Sequence, residues 1–131
     1  MGIPHGKLPA KSLLCMKSGW SSRWGDPERY RNKDASNGKM HFPGFSADAA
    51  AFLRKERDVV GIGIDTLSLD RGIDEEFPVH QVMLGGDDGG LYQVENMVLD
   101  ELPAVGFLFV VLPFNVKGAQ ESLCRCVALM P

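Results

Sequence analysis

Three histidines are the residues on which acid–base or metal chemistry would depend: His5, His41 and His80. An imidazole exchanges protons near neutral pH and also ligates metal ions. His5 lies in a terminus rich in Gly and Pro, which favours a solvated side chain. His41 precedes Phe42 and Pro43 in a loop, which favours a hydrogen-bonded loop histidine. His80 lies in FPVHQVML, and Glu95 follows after one more apolar segment. Brought together, these two could act as base and metal ligand, although their spacing alone is a weak signal.

Two aspartates, Asp65 and Asp70, flank the segment TLSL. Asp65 follows an apolar run that reads as a buried strand, and the carboxyl ends of such strands often hold functional residues. An Asp that caps the following turn fits the same pattern, so both interpretations stay open. The glycines at 85, 86, 89 and 90 surround two aspartates and precede no Lys-Ser or Lys-Thr pair, which favours a surface turn over a phosphate-binding loop.

The chain has three cysteines, and an odd count argues for reduced thiols rather than a closed disulfide framework. Cys124 and Cys126 are spaced i, i+2 in a predicted strand, so both side chains point to one face and are poorly placed for an unstrained disulfide. We predict structural roles for all three. A Cys-x-Cys pair could contribute to a metal site, but no second Cys or His pair lies at zinc-ligand spacing.

The elements that would position these residues alternate apolar runs with Gly and Pro. Strands are predicted at 12–16, 59–64, 107–116 and 123–129, and a helix begins after an N-cap at Ser46. Residues 77–84 fit a short helix or a strand, and 98–102 one helical turn. The polar stretch 18–45 reads as a long loop packed down by its own aromatic residues. A helix before a buried strand predicts an α/β fold.

Composition limits the classes of protein that fit. With 131 residues the chain is expected to form one domain, 1–131, and 24% charged residues with a net charge of −3 give a nucleic-acid role no electrostatic support. The longest apolar run, 105–116, is shorter than the roughly 20 residues of a membrane helix. No signal peptide is visible, so we expect a cytoplasmic protein without a membrane partner.

Six segments in order resemble the putative cyclase family, which includes bacterial kynurenine formamidase and isatin hydrolase. They are SGWSSRWGDPERY, HFPGFSADAAAFL, VVGIGIDTLSLDRG, FPVHQVML, LYQVENMVLDELPAVG and LFVVLPFNVKGAQESLCRCVALMP. The resemblance covers nearly the whole chain from about Ser12 to Met130. Several linked segments in order are far more specific than a single motif.

The resemblance implies an α/β fold of the swivelling β/β/α type, assembled as a homo-oligomer. It also implies hydrolysis of a small-molecule amide or lactam, with bound Zn or Mn that activates water. His80 matches the histidine beside the metals, as proton shuttle or ligand, and Glu95 matches a metal-ligating glutamate. Trp20 and Trp24 correspond to aromatics that line the substrate pocket in isatin-cleaving relatives, although packing of the long loop explains them equally simply.

The family's main metal motif, His-x-Gly-Thr-His-x-Asp-x-Pro-x-His, has no counterpart in this chain. We therefore expect an N-terminally shortened cyclase-like domain. Two hypotheses follow. The first is an arylformamidase-type amide hydrolase with His80 as general base, Glu95 as metal ligand and Zn or Mn as cofactor. The second is a non-catalytic member that binds no metal and acts as a binding or oligomeric scaffold.

Overall fold

The structure, a computed structural model, describes residues 6–87 and 89–131, so His5 lies outside the described residues. The chain divides into two compact units, Met1–Asp100 and Glu101–Pro131. Within the described residues, no helix combines the length and the apolar character that crossing a membrane would require.

The first unit is built on a parallel three-stranded sheet with the order β1-β2-β3. The strands are β1 (Leu13–Met16), β2 (Gly61–Ile64) and β3 (Tyr92–Val94). In the register, Met16 pairs with Ile64 and Gly63 pairs with Val94. All four residues of β2 are buried, which is typical of a central strand in a parallel sheet. The predicted strands at 12–16 and 59–64 and the α/β class are confirmed.

Three α-helices connect these strands: α1 (Pro27–Arg31), α2 (Ala47–Glu56) and α3 (Pro78–Leu84). α2 begins as predicted, because the Ser46 hydroxyl accepts a hydrogen bond from the Ala49 amide at 3.2 Å. The ambiguous segment 77–84 is helical over α3. The helical turn predicted at 98–102 is wrong, since only a hydrogen-bonded turn forms there.

The predicted long loop, 18–45, contains a 3-10 helix (Trp20–Arg23) and α1. Asp26 caps α1 by accepting from the Glu28 and Arg29 amides, both at 3.1 Å. Three aromatic residues of this stretch, Tyr30, Phe42 and Phe45, are buried. The prediction that aromatic residues pack the segment down is confirmed for these three. The prediction that 18–45 is a loop without regular structure is wrong, because it contains the 3-10 helix and α1.

The core of the first unit lies between β2 and the helices. Its buried members are apolar: Phe45, Ala50, Leu53, Val59, Ile62, Ile64, Leu69, Val79 and Met83. Gly61 has to be glycine, because a Cβ there would lie 2.3 Å from the Tyr92 carbonyl oxygen on the neighbouring strand. This close approach lies at the amino ends of β2 and β3, and the polar residues follow the carboxyl ends of the same strands.

The second unit contains an antiparallel hairpin of β4 (Leu108–Pro113) and β5 (Cys124–Leu129), within the two predicted strand regions. Val111 pairs with Cys126 and Pro113 pairs with Cys124. Several large apolar side chains of this unit are exposed, notably Leu108, Leu112, Phe114 and Leu123.

Candidate active site

Polar side chains collect where the three parallel strands of the first unit end. Ser18 follows β1, Asp65 follows β2 directly, and Glu95 and Asn96 follow β3 directly. Since the carboxyl ends of parallel strands meet at one edge of a sheet, the register alone brings these residues together. The site therefore occupies the edge at which open α/β sheets usually bind their ligands.

Asp70 holds the N-terminus of α3 and the ring of His80 at the same time. The first helical residue is Pro78, and Phe77 before it makes no side-chain cap. The Asp70 carboxylate replaces that cap from a distance, accepting from the Val79 amide at 2.6 Å and from the His80 amide at 3.2 Å. It also lies 2.5 Å from His80 Nδ1. Asp70 is 1% exposed, so this carboxylate is fixed by its donors rather than by water.

These contacts define which ring nitrogen of His80 faces the site. An ionised carboxylate can only accept hydrogen bonds. We therefore place the ring proton of His80 on Nδ1, from which it is donated to Asp70. Nε2 then points to Glu95, whose Oε1 is 3.4 Å away. Oε1 also accepts from the Leu69 amide at 3.0 Å, which orients the glutamate. The side chain of His80 is 30% exposed, so Nε2 is accessible to a small molecule.

Asp65 organises the neighbouring segment after β1. Its Oδ1 accepts from the Ser18 amide at 3.1 Å and from the Ser18 hydroxyl at 2.5 Å, and its Oδ2 accepts from the Trp20 amide at 2.9 Å. Asp65 is fully buried. These three donors belong to the segment that follows β1 and use both carboxylate oxygens, so Asp65 joins two strand ends and these contacts are not a cap of the turn that follows it.

Tyr30 links α1 to the strand ends. Its hydroxyl lies 3.1 Å from the Asp65 carbonyl oxygen and 2.9 Å from Asn96 Oδ1. Burial, followed by the negative charges of Asp65 and Glu95, raises the pKa of Tyr30 to about 12. The phenol is therefore a neutral hydrogen-bond donor at physiological pH.

Trp20, one of the two predicted substrate-binding residues, contacts α1 and the 3-10 helix. Its indole N–H donates to the Tyr30 carbonyl oxygen at 2.8 Å, and the Arg23 guanidinium stacks on its ring at 3.8 Å. Trp24 is 63% exposed and packs edge-on against Tyr30, with ring centroids 5.1 Å apart. Phe77, 54% exposed, packs edge-on against His80 at 5.9 Å.

The sequence did not identify Asp70 as the partner of His80. One signal was available: no Ser, Thr, Asp or Asn immediately precedes Pro78, so α3 needs a cap from elsewhere in the chain. Phe77 adopts a φ of 48°, an uncommon conformation for a bulky residue. His41, by contrast, lies away from this cluster, with Nε2 4.0 Å from Asp34.

The described residues supply only part of a metal site. Within 6–87 and 89–131, no group of three or more His, Cys, Asp and Glu side chains could hold a metal ion. A catalytic zinc takes about three protein ligands and keeps one position open. His80 and Glu95 offer two candidate ligands, and the Leu69 amide orients the glutamate. These residues alone therefore fall short of the roughly three protein ligands that a catalytic Zn or Mn centre takes, and they do not fit such a centre.

Comparisons with known proteins agree on the family. The profile described as "Putative cyclase" matches residues 3–71. The chain is 30% identical to isatin hydrolase from Roseibium aggregatum over 131 residues, covering 97% of this chain and 48% of that protein. It is 31% identical to kynurenine formamidase from Polaromonas naphthalenivorans over 103 residues, covering 77% and 45%.

A solved structure shows the same relationship. Isatin hydrolase A from Ralstonia solanacearum superposes with a TM-score of 0.85 at 29% identity, covering 97% of this chain and 48% of that one. The chain thus spans about half the length of the relatives it matches. The family profile covers more than half of the chain, and the fold agrees over nearly all of it. This chain therefore belongs to the putative cyclase family.

Proposed function

We propose that this chain carries the acid–base part of a cyclase-family hydrolase that cleaves an amide or lactam bond, of the arylformamidase type. The observation that carries the proposal is the line of contacts from Asp70 through His80 to Glu95. Similarity to isatin hydrolase and kynurenine formamidase supports the substrate class.

In this proposal His80 acts as the general base. Asp70 fixes the tautomer with the proton on Nδ1, which leaves the Nε2 lone pair to take a proton from an attacking water. The water oxygen forms a bond to the substrate carbonyl carbon. The imidazolium that results lies between the carboxylates of Asp70 and Glu95, and both stabilise its charge. Nε2 then returns the proton to the leaving nitrogen as the C–N bond breaks.

Two exposed aromatic rings would bind the aryl part of the substrate. Phe77 contacts the His80 ring itself, and Trp24 contacts Tyr30, whose hydroxyl meets Asn96 beside Glu95. A flat aryl amide stacked on Phe77 would keep its carbonyl near Nε2, because that ring contacts His80 directly. Trp20 supports this region through the hydrogen bond from its indole N–H to the Tyr30 carbonyl oxygen, and Arg23 stacks on its ring.

A second function is favoured by one observation, the incomplete set of metal ligands among the described residues. A member that holds no metal would act as a binding module, with the aromatic rings near His80 recognising an aryl compound without cleaving it. The two functions differ in metal content. An active hydrolase of this family type would retain Zn or Mn, whereas a binding module would retain none tightly.

The test measures hydrolysis of N-formylkynurenine and of isatin by the purified chain, supplied with Zn²⁺ or Mn²⁺, together with retained metal. Under the hydrolase proposal, His80→Gln lowers kcat by at least about a hundredfold, the lower end of a general base's contribution. His41→Gln is the matched control and should leave kcat unchanged, because His41 contacts Asp34 instead. Binding of the aryl compound without turnover or retained metal would favour the binding module.

The remaining expectations belong to the same proposal. The swivelling β/β/α arrangement is supported by three parallel strands connected through helices. A homo-oligomer is supported by the exposed apolar side chains of the β4–β5 hairpin, since a two-stranded hairpin is only marginally stable by itself. The molar mass of the purified chain in solution tests the second point.

A further inference from the structure

Two cysteine thiols lie side by side on the β4–β5 hairpin, in the unit that does not contain the candidate active site. Cys124 Sγ and Cys126 Sγ are 3.7 Å apart. Because side chains alternate along a strand, both thiols point to one face of β5, and the backbone pairing to Val111 and Pro113 fixes their spacing. We call Cys124 and Cys126 the dithiol pair.

The separation suits a shared metal ion better than a covalent bond. A disulfide requires the two sulfurs to approach to about 2.05 Å. Two thiolates on a tetrahedral Zn²⁺, with Zn–S bonds of about 2.3 Å, lie about 3.8 Å apart. The observed 3.7 Å is close to that tetrahedral edge, so the hairpin holds the two sulfurs at chelating distance without further movement.

The surroundings favour a soft cation with two thiolate ligands. The Cys124 side is exposed and borders an open cavity of about 420 Å³ lined by Leu112, Pro113, Phe114, Leu123, Cys124 and Arg125. Most of these neighbours are apolar and offer no carboxylate. Two thiolates and one divalent ion form a neutral unit, which costs less to place against apolar side chains than a charged one.

We propose that the dithiol pair is a binding site for a thiophilic divalent cation such as Zn²⁺ or Cd²⁺. Each thiol loses its proton to solvent, and the two sulfurs bind one ion, leaving two positions for water or for a further ligand. Both cysteines belong to the second unit, and the proposal does not depend on the proposed function.

The experiment titrates the reduced chain with Zn²⁺ alone, against a chromogenic chelator, while a thiol-specific reagent reports which cysteines react. We expect one ion per chain and at least about tenfold slower modification of two thiols. Cys124→Ser and Cys126→Ser should each weaken Zn²⁺ binding at least about tenfold, as loss of a ligand requires. Both substitutions are on an exposed hairpin, and circular dichroism checks that the fold is kept.

Cys15→Ser is the matched control. Cys15 lies in β1 of the first unit, near Met97, and burial raises the pKa of its thiol to about 11, so it reacts slowly and should not affect binding. The proposal is overturned if both Ser variants at the dithiol pair bind Zn²⁺ as the wild type does. It is equally overturned if His80→Ala removes the bound ion, or if the dithiol pair oxidises to a disulfide and shows no protection by Zn²⁺.

Discussion

Replacing Asp70 tests whether one buried carboxylate holds both α3 and the His80 ring. The carboxylate accepts from the Val79 amide, the His80 amide and His80 Nδ1. In Asp70→Ala, both backbone donors lose their acceptor at about 1–3 kcal/mol each, so we expect a loss of about 2–6 kcal/mol. The ring nitrogen is left out of this sum, because His80 is partly exposed and water can replace the lost partner.

Asp70→Asn is the sharper variant, because it keeps the shape of the side chain. The amide oxygen can still accept from the Val79 amide, but its NH₂ group then faces the His80 amide, and two donors oppose each other. One buried donor is lost, which costs about 1–3 kcal/mol. The same NH₂ would donate to His80 Nδ1, so the ring proton moves to Nε2 and the proposed base loses its lone pair.

Urea unfolding followed by circular dichroism measures the stability change, and ¹⁵N NMR of the His80 ring at about pH 8, where an ordinary imidazole is neutral, identifies the tautomer. Asp74→Asn is the control, since it removes one partner of the ion pair with the exposed Arg71 side chain and should shift the urea midpoint far less. An unchanged tautomer in Asp70→Asn, or a midpoint shift no larger than the control's, would refute the role assigned to Asp70.

Three further changes probe the residues around the site. Tyr30→Phe should remove the tyrosine ionisation near pH 12 from the ultraviolet titration. In the wild type, the neutral phenol contributes stability that is complete below about pH 10 and is lost as the pH rises towards 12. The variant should not show this loss when urea unfolding is measured across that pH range. Gly61→Ala should destabilise by about 1–3 kcal/mol or more in the same assay, because its Cβ would meet the Tyr92 backbone, whereas Gly25→Ala has open space and should not. Arg54→Met should lose about 1.5–3 kcal/mol and speed amide exchange in α3, because the Arg54 guanidinium donates to the carbonyl oxygens at the end of that helix.

Local signals were sufficient for the elements with strong patterns. Ser46 followed by a run of alanines specifies the start of α2, and the short β-branched segment that ends at Ile64 specifies the buried strand β2. In both cases the residues that define the element are contiguous. Nothing from a distant part of the chain was needed to choose between helix and strand.

Elements that depend on distant contacts were predicted less well. The 3-10 helix and α1 form inside a polar stretch because Trp20 donates to the Tyr30 carbonyl oxygen and Tyr30 reaches the strand ends. Segment 77–84 becomes helical with a cap supplied by Asp70, seven residues before it begins. Neither contact leaves a periodic pattern in the sequence, so hydrophobic spacing alone could not decide these segments.

The candidate site shows the same division. His80 and Glu95 were paired from their residue types and from the family resemblance, and the structure brings their side chains to 3.4 Å. In the sequence, Asp70 is only one of two aspartates that flank TLSL, and no pattern assigns it a role. Its contact with His80 needs the turn after β2 to bring the carboxylate under the first turn of α3, and that turn is a tertiary feature.

His80 is held by groups that act at both ends of its helix. Asp70 satisfies the amides at the beginning of α3, and Arg54 from α2 satisfies carbonyl oxygens of Val82 and Met83 at its end. A seven-residue helix has little stability of its own, so these contacts decide whether it forms. Because the acceptor that orients the His80 ring is also the helix cap, any change that loosens α3 also misplaces the imidazole. Stability and chemistry at this site are therefore coupled through a single carboxylate, and variants of Arg54 should disturb the His80 tautomer without touching the ring.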